Sequence, residues 1–229
     1  MEDGVPMRVH RDSARVLLLV PILLSLSVFV GSAPAQEISQ ENGDAWPVVL
    51  LPPDRVEDTY AIYSLLVPGE FPNTMLEHHP LWLIADMTIV IRDAVDNPQT
   101  EITPPTAQWK AFAAVLLDFE QHKHERVRLE KSFHLDQPYQ LLNQSEQAEF
   151  RTAFQTSLAA QTDSLPSKYR GAMGLMYFSN VYFNFEHTLA AVYVAYWCGP
   201  KCGQMRWVAL QKVNNGWSIL PWPAAARQP

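Results

Sequence analysis

The stretch that decides the fold is "LMYFSNVYFNFEHTLAAVYVAYWCGPKCGQMRWVALQKVNNGWSILPW", Leu175 to Trp222. It is rich in β-branched and aromatic residues, and its apolar positions recur at a period of two rather than 3.6. Four strand candidates follow one another: 175–184, 188–197, 204–213 and 217–222. Asn184-Phe185-Glu186-His187 turns the first pair. Asn214-Asn215-Gly216 is a hairpin signal, because asparagine and glycine tolerate the positive φ that a tight turn demands. Sequential strands joined by short turns predict an antiparallel meander at the C-terminal end of the chain.

Two helices are predicted ahead of it. The stretch from Pro105 to Phe133 carries Trp109, Phe112, Ala113, Leu116, Leu117, Phe119 and Val127 as a buried stripe, with charged last turns facing water. A second, Leu141 to Leu158, is entered at Asn143 or Ser145. A shorter helix starts near Pro53 with Val56, Tyr60, Tyr63 and Leu66 on one side, and Pro68-Gly69 stop it. Leu81 to Ile91 reads as a strand that joins the meander's sheet. Helices first and a meander last predict an α+β fold, N-terminal helices packed on a C-terminal antiparallel β-meander. The two main helices are expected on one sheet face.

At the other end, Val16 to Val30 is an uncharged apolar block followed by Gly31, Ser32 and Ala33-Pro34-Ala35, the pattern of a secretory signal cleaved near Ala35. As a helix that block is about 22 Å long, shorter than a hydrocarbon core. Retention as an N-terminal membrane anchor is the alternative. Three arginines against one aspartate after Met7 make a better signal start than Met1. The expected organisation is a signal peptide over 1–35, an extended leader over 36–52, one domain over 53–223 and a tail over 224–229. Of the 229 residues 48% are hydrophobic and 18% charged, and the net charge is −7. That balance is globular, and it offers no basic stripe for a nucleic acid and no lipid-binding polybasic patch. The product expected is secreted or periplasmic, free of the membrane after cleavage.

Cys198 and Cys202, the only cysteines, fall in "CGPKCG" between the second and third meander strands. An exported chain with two close cysteines usually joins them. Gly199, Pro200 and Gly203 allow the tight turn. Thioredoxin-like redox chemistry needs the first cysteine at a helix N-terminus, and here strands flank both. A metal site lacks two further ligands at a suitable spacing. A structural disulfide is the reading adopted.

Other candidates are weaker. Asp118, His122 and Glu125 stand at i, i+4 and i+7, so one helical face could present them to a metal, with His78 and His79 added from another segment. The same face also reads as solvated ion pairs. Ser132, His134 and Asp136 alternate too far apart along a strand for a nucleophile–base hydrogen bond. There is no phosphate-binding glycine loop and no nucleophile elbow. Tyr177, Phe178, Tyr182, Phe183, Tyr193, Tyr196, Trp197, Trp207, Trp217 and Trp222 crowd the meander. They form either an apolar ligand surface or a face covered by the N-terminal proline-rich stretch, and coverage is favoured.

The stretches "DTYAIYSLLVPG" (58–69), "LLDFEQHKHERVRLEKSFHLDQPYQLL" (116–142) and above all "FSNVYFNFEHTLAAVYVAYWCGPKCGQMRWVALQKVNNGW" (178–217) resemble a group of bacterial exported proteins of unknown function. The likeness covers most of the chain from Asp58 to Trp217. It implies a single domain ending in a meander and brings no activity or catalytic residue with it. Taken together, the expectation is a non-enzymatic binding or interaction module with no cofactor, whose partner is an apolar ligand or a protein. The alternative is a metal-dependent hydrolase built around His122.

Overall fold

The computed structural model describes residues 46–69, 81–91, 97–160 and 164–222. The expected signal peptide, His78, His79 and the C-terminal tail lie outside the described residues.

Strand formation starts at the C-terminal end, as the period of two demands. Strands β5 (Ala172–Phe178), β6 (Tyr182–Phe183), β7 (Leu189–Trp197), β8 (Gly203–Val213) and β9 (Gly216–Ile219) are antiparallel neighbours. Asn214 and Asn215 take positive φ, 49° and 63°, to close the β8–β9 hairpin. Strand β2 (Leu81–Ala85) adds to β5 in parallel, and β4 (Tyr139–Leu142) adds in parallel to β2. The sheet therefore runs β4-β2-β5-β7-β8-β9, with β6 also paired to β7. The fold is α+β, with its helices ahead of a C-terminal meander. The parallel edge is an addition that the sequence pattern did not disclose. A separate two-stranded parallel pair joins β1 (Val48–Val49), inside the expected leader, to β3 (Arg126–Val127).

The stretch between 175 and 184 is two strands rather than one. Phe178 faces Val194 and Tyr182 faces Ala191, so three residues (179–181) oppose two (192–193). That extra residue is a β-bulge, and it changes which parity faces which side. Before it, Met176 and Phe178 lie on one face; after it, Val181 and Phe183 do. Ser179 holds the bulge: its N–H donates to the Tyr193 carbonyl, and its Oγ accepts from the Tyr193 N–H, each at 2.9 Å.

Both faces of the sheet are covered. Helix α1 (Pro53–Gly69) lays Tyr60, Ile62, Tyr63, Leu66 and Val67 on the face that carries Phe178, Phe183, Val192, Val194 and Leu210. After the four-residue α2 (Pro98–Glu101), helices α3 (Trp109–His122) and α4 (Gln144–Ala160) cover the opposite face with Phe112, Val115, Phe119 and Phe150. The two main helices share a face, as expected. The crowd of aromatics is core, covered chiefly by helices; Val49 and Leu51 of the proline-rich stretch only flank it. Among the described residues no helix is long and apolar enough to cross a membrane.

Two boundaries differ from expectation, each for a local reason, and a third, the start of α4, falls at one of the two expected entries. Helix α3 ends at His122, not Phe133, because from Arg126 the period becomes two: Val127 and Leu129 are buried at 3% and 4% exposure while Arg126 is half-buried and Arg128 exposed. Strand β2 stops at Ala85 because the chain then turns to pair with that segment, through Thr88 N–H to Val127 O at 2.9 Å and Leu129 N–H to Asp86 O at 2.8 Å, and touches β5 again through Ile89 N–H to Phe178 O at 2.8 Å. Helix α4 starts at Gln144, with Asn143 as its cap: Asn143 Oδ1 accepts from Glu146 N–H and Glu146 Oε2 accepts from Asn143 N–H, a reciprocal capping box. Close packing leaves one position with no latitude. A Cβ built on Gly174 would sit 2.2 Å from the Trp197 carbonyl oxygen and 2.5 Å from the Tyr196 ring.

Burial carries a pH signature. Tyr63 and Tyr177 lie in the core with their phenols pushed up by desolvation, Tyr177 to about 12, and Tyr182 and Tyr196 are raised for the same reason. The native phenols keep their protons while those of the unfolded chain ionise near about pH 10. The unfolded state then binds fewer protons, so stability is intact below about pH 10 and falls as pH rises towards the native values. Urea midpoints are expected to drop steeply from about pH 10 upward, with phenolate absorbance appearing at the unfolding step rather than ahead of it.

Candidate functional site

The polar interior gathers where the start of α1, the end of α3 and the β6 strand meet. Arg55, in the first turn of α1, reaches Asp118 on α3 with both terminal nitrogens, at 2.9 and 2.8 Å. The planar guanidinium matches a carboxylate in this two-pronged way, which makes the pair directional as well as charged. Asp118 Oδ2 also accepts from the Phe183 N–H at 2.9 Å. Asp118 thus ties α1, α3 and β6 into one node.

One turn further along α1, Asp58 is buried and does the same for the sheet's far edge. Its Oδ1 accepts from Lys212 Nζ at 2.7 Å and from Trp217 Nε1 at 2.9 Å. His187 Nδ1 stands 3.9 Å from the other oxygen. Phe183 lies between the two nodes. Its ring stacks on His187 at 4.8 Å, meets Trp217 at 5.8 Å and lies 5.7 Å beneath the Arg55 guanidinium.

The expected metal candidates fall at the first node. Asp118, His122 and Glu125 do come together, although Glu125 lies beyond the helix rather than on it. The His122 ring is flanked by carboxylates: Nδ1 is 2.8 Å from Glu125 Oε2, and Nε2 is 3.5 Å from Asp118 Oδ1. With Asp118 already committed to Arg55 and Phe183, the arrangement is an ion-pair network rather than a ring of lone pairs aimed at one point. Among the described residues no three His, Cys, Asp or Glu side chains are placed to hold a metal ion. Ser132, His134 and Asp136 lie on irregular backbone, and the His134 N–H is bound by Ser64 Oγ at 2.8 Å.

The sulfurs of Cys198 and Cys202 lie at disulfide bonding distance across the β7–β8 turn, with their Cα atoms 5.0 Å apart. The turn is also closed by Cys198 N–H to Cys202 O at 3.2 Å and Cys202 N–H to Gly199 O at 3.1 Å. Gly199 takes φ +127°, which glycine alone adopts without strain. Strands flank both cysteines, so neither sulfur has the helix N-terminus that lowers a thiol pKa. A clip over so short a loop adds about 2 kcal/mol.

The Asn184–His187 turn expected from the sequence joins β6 to β7, and what the sequence left hidden is the role of Asn184 within it. Asn184 is buried at 2% exposure, and its side chain makes four hydrogen bonds: Oδ1 accepts from the Thr188 and Leu189 N–H groups at 2.8 Å each, and Nδ2 donates to Glu186 Oε2 at 2.9 Å and Thr188 Oγ1 at 3.0 Å. His187 takes φ 49° to complete the loop. Phe185, at its tip, is 77% exposed. The signal was present in "NFEHT", where an asparagine precedes an aromatic in a turn. Comparison with protein-family models, with curated proteins and with solved structures gives no match.

The Asp118 node should be structural in its energetics. Asp118→Asn leaves the Arg55 guanidinium half-buried without its counter-charge and is expected to lower unfolding free energy by about 2–3 kcal/mol, the low end for a broken buried pair because Arg55 still touches water. His122→Gln, on the more exposed side, is expected to cost under about 1 kcal/mol. Urea denaturation of the two variants checks the ranking.

Proposed function

We propose that this chain is a non-enzymatic interaction module that works outside the cytoplasm and engages a protein or apolar ligand through the β6–β7 turn. The observation that carries the reading is Phe185, an aromatic side chain 77% exposed on a turn whose backbone is held by the buried Asn184. Aromatic anchors dominate binding energy, and a turn already ordered before contact loses little entropy on association. The apolar N-terminal block followed by small residues supports export, and so does the resemblance of the 178–217 stretch to bacterial exported proteins.

The second reading, a metal-dependent hydrolase, is favoured by one observation: Asp118, His122 and Glu125 converge. Protein purified without added metal separates the two. Stoichiometric zinc that disappears in His122→Gln would support the hydrolase; zinc-free protein with a cooperative thermal transition supports the interaction module.

For the interaction reading itself, Phe185→Ser is the direct probe. It should leave the thermal midpoint within about 2 °C, as expected for an exposed site, while a partner captured by the parent protein from its own extracytoplasmic fraction is lost. Equal capture by parent and variant would remove the turn from the proposal.

A further inference from the structure

On the sheet face that α3 and α4 cover, α4 carries a cation that has no carboxylate partner among the described residues. The Arg151 guanidinium lies between two aromatic rings, 5.5 Å from the Tyr177 centroid and 5.6 Å from that of Trp197. One terminal nitrogen donates to the Tyr177 hydroxyl, and Nε is buried with no acceptor. Arg55 and Arg128 each have a carboxylate within 2.9 Å; among the described residues Arg151 has none. Arg151 is half-buried, and a guanidinium partly withdrawn from water, with its Nε buried and unmatched, gains from an anion at its remaining donors. Tyr177 adds a second donor. Its hydroxyl accepts from Arg151, and its pKa, raised to about 12 by burial, leaves the phenol a proton to donate at neutral pH.

The surroundings define the rest of the ligand. Phe154 and Leu158 follow Arg151 on α4 at i+3 and i+7, which puts all three on one side of the helix. Phe154 packs 5.7 Å from Trp197, and Leu158 is 51% exposed. Gly199 of the cysteine turn borders the strip, and a Cβ there would press to 3.1 Å on Leu158 Cδ1. One fork-shaped cation and one phenol suit a single planar carboxylate better than a phosphate dianion, and an overall charge of −7 repels polyanions.

We propose that Arg151 and Tyr177 bind the carboxylate of an organic acid whose apolar body lies along Phe154, Leu158 and Trp197. The site is separate from the Phe185 turn and stands or falls without it. The carboxylate belongs either to a free acid with an alkyl chain or to the C-terminus of an apolar peptide.

Calorimetric titration of the signal-free chain, at constant ionic strength, decides the matter with octanoate, acetate, octanol, and N-acetyl-dileucine as free acid and as amide. Saturable octanoate binding is expected, at least about tenfold tighter than acetate or octanol, with a loss of about tenfold or more in Arg151→Gln and a smaller one in Tyr177→Phe, in keeping with a charged hydrogen bond and a neutral one. Leu158→Asp should weaken octanoate and leave acetate unchanged. The dipeptide free acid outbinding octanoate assigns the peptide source; the reverse assigns the free acid. The proposal is overturned if no carboxylate saturates, if octanol matches octanoate, or if both Arg151→Gln and Tyr177→Phe bind as the parent does.

Discussion

One extra residue between β5 and β6 governs how this domain is put together. Without the bulge at 179–181, the alternation of β5 would carry through, and Phe183 would turn to the face of α3 and α4. Its ring would then be unable to pack beneath Arg55, and its N–H would point away from Asp118. With the bulge, Phe178 and Phe183 share the α1 face although five positions separate them. The same kink aims Asn180 inward, where it accepts from Thr88 Oγ1 at 2.8 Å and donates to the Glu125 carbonyl at 3.1 Å. Thr88 Oγ1 in turn receives the Val127 N–H at 2.7 Å. The irregular chain between α3 and β4 is therefore docked on the sheet by the residues that the bulge displaces.

Charge is handled in two ways. Asp58 and Asp118 are buried and multiply bound, and each joins a helix to strands that come far later in the chain. Such pairs add direction more than net stability, because desolvation offsets much of their attraction. Hydrophobic cover on both faces supplies the bulk of the driving force, and the ion pairs set where α1 lies upon it. Arg151 departs from this pattern: it has aromatic neighbours and, among the described residues, no carboxylate.

Much of the sheet could be read from residue order alone. A period of two, an Asn-Asn-Gly turn and the Asn184–His187 turn identify β7, β8 and β9, because antiparallel neighbours in sequence are neighbours in space. The parallel edge could not be read that way. Leu81–Ala85 and Tyr139–Leu142 pair across more than fifty residues, and four-residue stretches such as "YQLL" are too short to show a period of either kind. Arg126 to Leu129 was misread because charged residues at alternate positions also fit the exposed side of a helix. At the site, Asp118, His122 and Glu125 were grouped correctly by spacing, but their commitment to Arg55 and the Phe183 N–H depends on contacts from distant segments. The role of Asn184 was equally hidden, since its four bonds come from the three-dimensional course of one turn.

Gly174 shows what so tight a sheet demands of its own history. Strand β5 runs there with the Trp197 carbonyl 2.2 Å from where any side chain would begin, backed by the Tyr196 ring. The neighbour that would have to give way is main chain, which cannot rotate aside as a side chain can. Codon changes at this position are thus closed to drift unless β7 shifts with them. Descendants that keep this strand pairing are expected to keep glycine there even where every surrounding aromatic has been exchanged.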